Sequence, residues 1–301
     1  MELDFSEARL KDETLLAKYR ILTERLRSLG QVLIGFSGGV DSTLLCGVAR
    51  HALGKNRVAA YLAVGPSLSA QEHADALRLA GLMDVRVMEY AATEFDNPAY
   101  LANGPDRCYH CKTDLFVHLR HFADRSAAAS AMPMSSAPSI LYGGNTDDTL
   151  DYRPGRRAAV DHSALAPLAE AGLSKADVRA LSHAFGLPTA DKPAQPCLSS
   201  RIPYGSPVDA RKLAMVEAGE AALAKCGFRE FRLRHFGDTA RIEVPKDQLG
   251  KFREEDFTQA LAAALRDLGF LKMEIDPEGF RSGSLNQALT EDVKRRHSAA
   301  P

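Results

Sequence analysis

Leu15, Tyr19, Leu22, Leu26 and Leu29 recur at spacings of 4, 3, 4 and 3, one face of a helix with 3.6 residues per turn. Gly30 follows as its stop, because glycine takes the left-handed backbone without steric cost. The period then changes. Residues 31–36 form a short apolar run, the pattern of a buried strand, and a Gly/Ser turn leads into a helix expected over 42–53. The alternation continues, with strands expected at 57–64, 85–90 and 140–142 and helices at 69–82, capped by Ser69, and 112–123. Strands alternating with helices predict an α/β fold, a Rossmann-like open parallel sheet covered on both faces. Ligands of such sheets gather at the carboxyl ends of the strands.

The stretch 126–139 is low in complexity and carries two prolines, so a flexible surface loop is expected there. Residues 143–207 are rich in Gly, Pro, Arg and Asp, with one clear helix expected over 174–185. Long irregular stretches in compact proteins are often functional. Beyond Pro207 the pattern is a helix over 209–226, strands at 230–235 and 240–244 joined by Gly237-Asp238, a helix over 257–268 and a strand at 271–275. The organisation expected is a domain over 1–206 and a smaller C-terminal α+β domain over 207–301, with a frayed polar tail after Thr290.

Of 301 residues, 45% are hydrophobic and 26% charged, which excludes a disordered chain. The net charge of −1 lacks the basic excess of a general nucleic-acid or anionic-membrane binder. A local basic groove stays open. No apolar run reaches the length of a membrane span, and residues 1–10 are polar and acidic, unlike a signal peptide. A cytoplasmic protein with reduced cysteines is expected.

Between the first strand and its helix stands Ser37-Gly38-Gly39-Val40-Asp41-Ser42. Glycines let the backbone close on an anion, whose charge the helix N-terminus favours. Ser37 and Ser42 add hydroxyls. Asp41 would repel a bare phosphate, and makes sense where Mg²⁺ or a backbone amide takes its charge. A plain Gly-rich turn capped by Asp41 or Ser42 is the bland alternative. The full string in a strand–loop–helix setting weighs against it. No Gly-Lys-Ser/Thr follows, so this is not a Walker A loop.

Two further strings carry cysteines, Arg107-Cys108-Tyr109-His110-Cys111-Lys112 and Lys192-Pro193-Ala194-Gln195-Pro196-Cys197-Leu198-Ser199-Ser200-Arg201-Ile202-Pro203-Tyr204-Gly205. The neighbouring Arg107 and Lys112 would favour thiolates. Four readings stay open on the residues alone. One is a zinc half-site, although a second pair is missing. Another is a redox dithiol, although no thioredoxin-like pattern surrounds it. The third is plain core cysteines. The last is a [4Fe–4S] cluster on three cysteines, with one iron lacking a protein ligand.

The first string resembles the PP-loop of the ATP pyrophosphatases. That implies binding ATP and splitting it into AMP and pyrophosphate, so that an adenylated oxygen can be displaced. With the cysteines, Gly143-Gly144-Asn145-Thr146-Asp147-Asp148, Tyr152-Arg153-Pro154-Gly155, Arg232-Leu233-Arg234-His235, Ala240-Arg241-Ile242-Glu243 and the string from Gly279 to Asn286, the chain resembles the LarE-type sulfur transferases of lactate racemase cofactor maturation. The resemblance implies a pyridinium biscarboxylate mononucleotide as acceptor, its adenylation by ATP with Mg²⁺, and a thiocarboxylate product into which a later enzyme inserts nickel. Single-cysteine members sacrifice the cysteine matching Cys197 and keep dehydroalanine. With Cys108 and Cys111 present, this chain resembles the members in which three cysteines ligate a [4Fe–4S] cluster that carries the sulfide. Cys197 is then both a ligand and the catalytic cysteine. A homo-oligomer is implied as well.

Candidate ATP and Mg²⁺ contacts are Ser37, Gly38, Gly39, Asp41, Ser42, Asn145, Asp147 and Asp148. Asp147 and Asp148 also suit an acidic helix start. Arginine forks fit phosphate and carboxylate, which makes Arg201, Arg232, Arg234 and Arg281 candidates for the acceptor. Arg232 and Arg234 share one strand face, and a solvated edge strand would carry them equally well. Glu243 is a ligand candidate or a surface partner of Arg241. Cys46 and Cys226 read as small packing residues, and His110 as a neighbour of the cysteines rather than a ligand. A tRNA thiolase is the competing function, disfavoured by the charge balance. A non-catalytic nucleotide or metal sensor and an amide-forming synthetase are the others. The amide reaction has no use for Cys197.

Overall fold

The computed structural model describes residues 3–129, 137–149, 153–281 and 283–298. Its first sheet is parallel throughout, built from β1 (Val32–Gly35), β2 (Val58–Val64), β3 (Arg86–Ala91) and β4 (Ser139–Tyr142) in the order β3-β2-β1-β4. The chain moves outward from β1 to β3 and returns to pair β4 on the other side of β1. The crevice between β1 and β4 is therefore the switch point, where the following loops diverge.

The helices of this part are α1 (Glu13–Leu29), α2 (Val40–Leu53), α3 (Ala70–Leu82), α4 (Pro98–Leu101), α5 (Arg107–Ala129), α6 (Pro154–Asp161), α7 (Pro167–Glu170) and α8 (Lys175–Ala184). Their starts are capped as their sequences allow. Asp12 accepts from Leu15 N at 2.9 Å, Ser69 from Glu72 N at 3.2 Å, and Ser174 with Asp177 closes a reciprocal capping box. One sheet face buries Tyr19, Leu22, Leu26, Leu44, Leu45 and Phe185 from α1, α2 and α8. The other buries Leu33, Tyr61, Phe116, Leu119 and Ala158 beneath α5 and α6. Cys46 is wholly buried in the first of these cores, as its small apolar character suggests.

A second sheet follows, with β5 (Arg232–Phe236), β6 (Thr239–Glu243) and β7 (Lys272–Ile275) in that order. β5 and β6 are antiparallel across Gly237-Asp238, pairing Phe236 with Thr239, and β7 joins β6 in parallel. α9 (Ala210–Lys225) and α10 (Glu255–Asp267) cover it over Leu213, Val216, Leu233, Ile242, Leu261 and Leu265. Half-buried Cys226 packs against this core.

Several helices depart from the expectations. α5 begins at Arg107 and runs to Ala129, so the Cys-x-x-Cys pair is helical and residues 126–129 continue the helix rather than open a loop. The rest of the expected loop, 130–136, lies outside the described residues, as does Tyr152. α6 and α7 occupy a stretch expected to be irregular, and Glu291–Ser298 forms α11 where a frayed tail was expected. No helix among the described residues is long and apolar enough to cross a membrane.

The second core reaches across the chain. It contains Tyr100, Leu198 and Ile202, with Phe95, Leu101 and Cys111 packed against it. Ala70 N, at the start of α3, donates to Glu217 of α9 at 2.7 Å. The two sheets thus meet along a seam made by residues 95–111 and 194–206.

Candidate active site

The Gly-rich loop leaves β1 at the switch point. Gly38 has φ +67°, and a Cβ there would meet Ala76 at 3.2 Å. The loop closes on itself. Ser42 Oγ accepts from Ser37 N at 3.3 Å and donates to Gly39 O at 3.2 Å, while Gly39 N donates to Ser37 Oγ at 3.4 Å. From the β4 side, Gly143 lies so close that a Cβ would stand 2.8 Å from Ser42 N. The two glycine strings are therefore halves of one cradle.

Asp41 points into this cradle between two donors. Asn145 Nδ2 donates to its Oδ1 at 3.0 Å, and Lys175 Nζ to its Oδ2 at 2.5 Å. Asp147 Oδ2 accepts from Lys175 N at 3.1 Å, and Asp148 Oδ2 from Asn145 N at 3.1 Å. Both acidic residues thus cap backbone amides around the switch point. Lys192 Nζ donates to Gly38 O at 3.3 Å and pairs with Glu72 at 3.1 Å. Lys175 was not singled out in the sequence, and Lys192 stood at the head of the Cys197 string without a role. Lys175 belongs to no motif, and only the fold of α8 brings it to Asp41.

Lys192 also begins the segment that carries the third cysteine. Arg232 Nη2 donates to Ala194 O, and Arg201 Nη1 to Pro196 O and, at 3.2 Å, to Cys197 O. Leu198 N donates to Ser67 O at 2.9 Å. Arg107 Nη1 donates to Ser199 O at 2.7 Å, and Arg234 Nη1 to Ser200 O at 2.9 Å. Four guanidinium groups therefore grip one segment by its carbonyls. Cys197 projects from it exposed to solvent, with its thiol free.

Arg201 is also paired through both nitrogens with Glu220, at 2.8 and 3.0 Å. Arg234 is paired with Glu243 at 3.0 and 2.8 Å. All four of these side chains are mostly or wholly buried, so the solvated edge-strand reading of Arg232 and Arg234 does not hold. Nor is Glu243 a surface partner of Arg241, which pairs with Glu274 at 3.1 Å. Arg232 differs, since no carboxylate among the described residues pairs with it. Its guanidinium lies over the Phe280 ring at 4.9 Å. Burial, with the charges of Arg201 and Arg234, draws its pKa down to about 10. Arg281 reaches Asp276 at 3.3 Å and leaves a buried Nε without a partner.

Cys108 and Cys111 are half-buried on the first turns of α5, and both thiols are free. Burial pushes the Cys111 thiol up, against the pull of Lys112 and with the charges of Cys197, Glu94 and Cys108 adding to the rise. The expected bias to thiolate is thus reversed at Cys111, because burial outweighs one solvated ammonium. Arg107 Nη1, beside Cys108, donates to Ser199 O at 2.7 Å, so the start of α5 and the segment of Cys197 border one space. No three His, Cys, Asp or Glu side chains among the described residues stand close enough to hold a single metal ion. Three cysteine thiols are the donor set that an iron–sulfur cluster takes. Glu94 borders the same space, is buried, and accepts from Ser67 Oγ at 2.7 Å. His110 lies 3.5 Å from Asp106.

The loop, the switch point and the parallel sheet define a nucleotide-binding domain of the PP-loop kind, and residues 17–102 match the NAD synthase family. Over 91% of this chain and 99% of its own length, an uncharacterised protein of Synechocystis sp. is 40% identical. The pyridinium-3,5-bisthiocarboxylic acid mononucleotide synthase of Lactiplantibacillus plantarum is 34% identical over 92% of this chain and 97% of its own. The chain belongs to the family of that synthase, the LarE-type sulfur transferases. An uncharacterised protein of Methanocaldococcus jannaschii is 26% identical over 60% of this chain.

Proposed function

We propose that this protein is an ATP-dependent sulfur transferase that adenylates a carboxylate of pyridinium-3,5-biscarboxylate mononucleotide and converts it to a thiocarboxylate. The observation that carries this reading is the segment from Lys192 to Arg201. One end is bonded to the phosphate loop at Gly38 O, and five residues on it presents an exposed thiol. Activation of an oxygen and delivery of sulfur are thereby brought to neighbouring ends of one short stretch.

The chain's own groups fit the steps. Loop amides and the α2 N-terminus receive the ATP phosphates. Asp41 would hold Mg²⁺, and Lys175, freed from its carboxylate, would neutralise phosphate charge as AMP is attached to the carboxylate and pyrophosphate leaves. Asn145 and the Asp147 and Asp148 caps keep the β4 loop in register with Asp41. Arg232, a buried cation with no carboxylate partner, suits an acidic group of the acceptor, with Arg281 beside it on the C-terminal segment. Arg201 and Arg234 serve by fixing the segment that carries Cys197. Cys108, Cys111 and Cys197 would hold a [4Fe–4S] cluster, which would supply the sulfur that replaces AMP.

A second reading has Cys197 give up its own sulfur. It is favoured by the exposure of that thiol and by a segment held largely through its carbonyl oxygens, with no bond to the side chain at 197. One experiment separates the two. Under anaerobic single turnover with ATP, Mg²⁺ and the biscarboxylate mononucleotide, both the small molecule and the intact protein are weighed by mass spectrometry. Thiocarboxylate with five intact cysteines is the expected result. Thiocarboxylate with dehydroalanine at Cys197 establishes the sacrificial route. Release of neither adenylate nor thiocarboxylate overturns the proposed function.

A further inference from the structure

Arg107 is a permanent cation only 4% exposed. Its Nη1 donates to Asn103 Oδ1 and Ser199 O, each at 2.7 Å, and its Nη2 points to Cys108 Sγ at 3.9 Å. The Tyr204 ring lies 5.9 Å from the guanidinium carbon. No carboxylate among the described residues pairs with it. A buried charge without a counter-ion is costly, and a neutral amide and a carbonyl repay only part of its lost hydration. Arg201 and Arg234 along the same segment each have a carboxylate, and Lys112 is solvent-exposed. Its Nη2 faces the Cys108 thiol, and its Nη1 bond to Ser199 O sets it two residues from Cys197.

We propose that Arg107 is the counter-charge of the three-cysteine site, holding anionic sulfur there through a fixed guanidinium fork. The ligand class is a soft sulfur anion, hydrosulfide or bound sulfide. The inference rests on the cluster reading of Cys108, Cys111 and Cys197. Asn103 makes the device rigid. Its backbone has φ +55°, and its amide donates to Pro203 O and Ser206 O, at 2.8 Å each. The Arg107 fork therefore stands on a braced loop and cannot follow a neutral ligand away. Arg107 is a positioning residue in this scheme, acting on the sulfur rather than on the acceptor.

The test reads stoichiometry rather than turnover. Full-length wild type, Arg107→Gln and Arg107→Lys are loaded anaerobically with ferrous iron and sodium sulfide and desalted. Iron and acid-labile sulfide per chain are then measured. Wild type should keep sulfide in excess of its iron. Arg107→Gln should keep the iron and lose about tenfold of that excess, the effect of one charge-assisted hydrogen bond. Arg107→Lys, which retains the charge, should stay within about twofold of wild type. Equal excess in Arg107→Gln and wild type overturns the inference. So does equal loss in both variants, which would mark a structural brace. If Arg107→Gln takes up no iron, Arg107→Lys decides alone, with retention supporting the inference and loss overturning it. Wild type that takes up no iron overturns the cluster reading, and this inference with it.

Discussion

At Asp41 a lysine and the proposed Mg²⁺ share one carboxylate. Lys175 bonds it at 2.5 Å, and on the proposed reading the metal of MgATP would displace that ammonium. The ammonium then stands beside the phosphates. Replacing Lys175 by Met is therefore expected to weaken MgATP binding about tenfold, the size of one charge-assisted hydrogen bond, with little change in melting temperature. Equilibrium dialysis with MgATP checks it, and an unchanged dissociation constant would remove Lys175 from the site. The string around Asp41 was legible in the sequence because its chemistry is local, glycines and hydroxyls within six positions. Lys175 was not, and Lys192 and Arg107 were legible only as neighbours of the cysteines, since Glu72, Gly38 and Ser199 are brought to them by the fold. Glu243 shows the same limit, because its neighbour Arg241 was visible in the sequence and its real partner Arg234 lies across the hairpin.

Among the elements, β5 illustrates how strand alternation divides labour. Arg232 and Arg234 share the face that grips the cysteine segment, while Leu233 and His235 face the core. His235 is buried edge-on to Phe270 at 5.3 Å, and its Nδ1 has no partner. Burial depresses its pKa below 6.5. The folded state therefore resists a proton that the unfolded chain accepts. The sign follows: stability is full above pH about 6.5 and falls as the pH drops from there through the lower folded value. Thermal melts of wild type between neutral and mildly acidic pH should show this loss, and His235→Phe should flatten it. A loss of the same size in the variant would assign it to other groups. The hairpin itself was readable from Gly237-Asp238 and flanking apolar alternation. The parallel pairing of β7 with β6 was not, because no local signal distinguishes it from a further meander. α5 began five residues early for a similar reason. Arg107 to Cys111 lacks an apolar period, and the turn is fixed by backbone bonds to Gly104 and Asp106.

At the scale of the molecule, the seam decides what can be separated. Tyr100, Leu198 and Ile202 precede residue 207, yet they are buried in the core of the second sheet. A fragment of residues 1–206 would expose them, at a cost of about 1.5–3 kcal/mol for each large apolar side chain. Such a fragment is expected to bind a hydrophobic dye and to unfold without a sharp transition. Cooperative unfolding near the full-length midpoint would show instead that the first sheet is self-sufficient. The sequence suggested two domains because the pattern changes near Pro207. It could not show that the cysteine segment is wedged between them, since that depends on which apolar residues meet in space.

The grip on residues 194–201 has one more consequence. Arginines hold Ala194, Pro196, Cys197, Ser199 and Ser200 by carbonyl oxygens, and Ser67 holds Leu198 by its amide. The side chain at 197 contributes to none of these bonds. The segment behaves like a tool holder clamped by its shank, whose cutting tip can be worn, changed or lost while the shank stays true. A chain stripped of sulfur at this position would keep its outline. On either of the two proposed sulfur routes, the frame around residue 197 would stay the same.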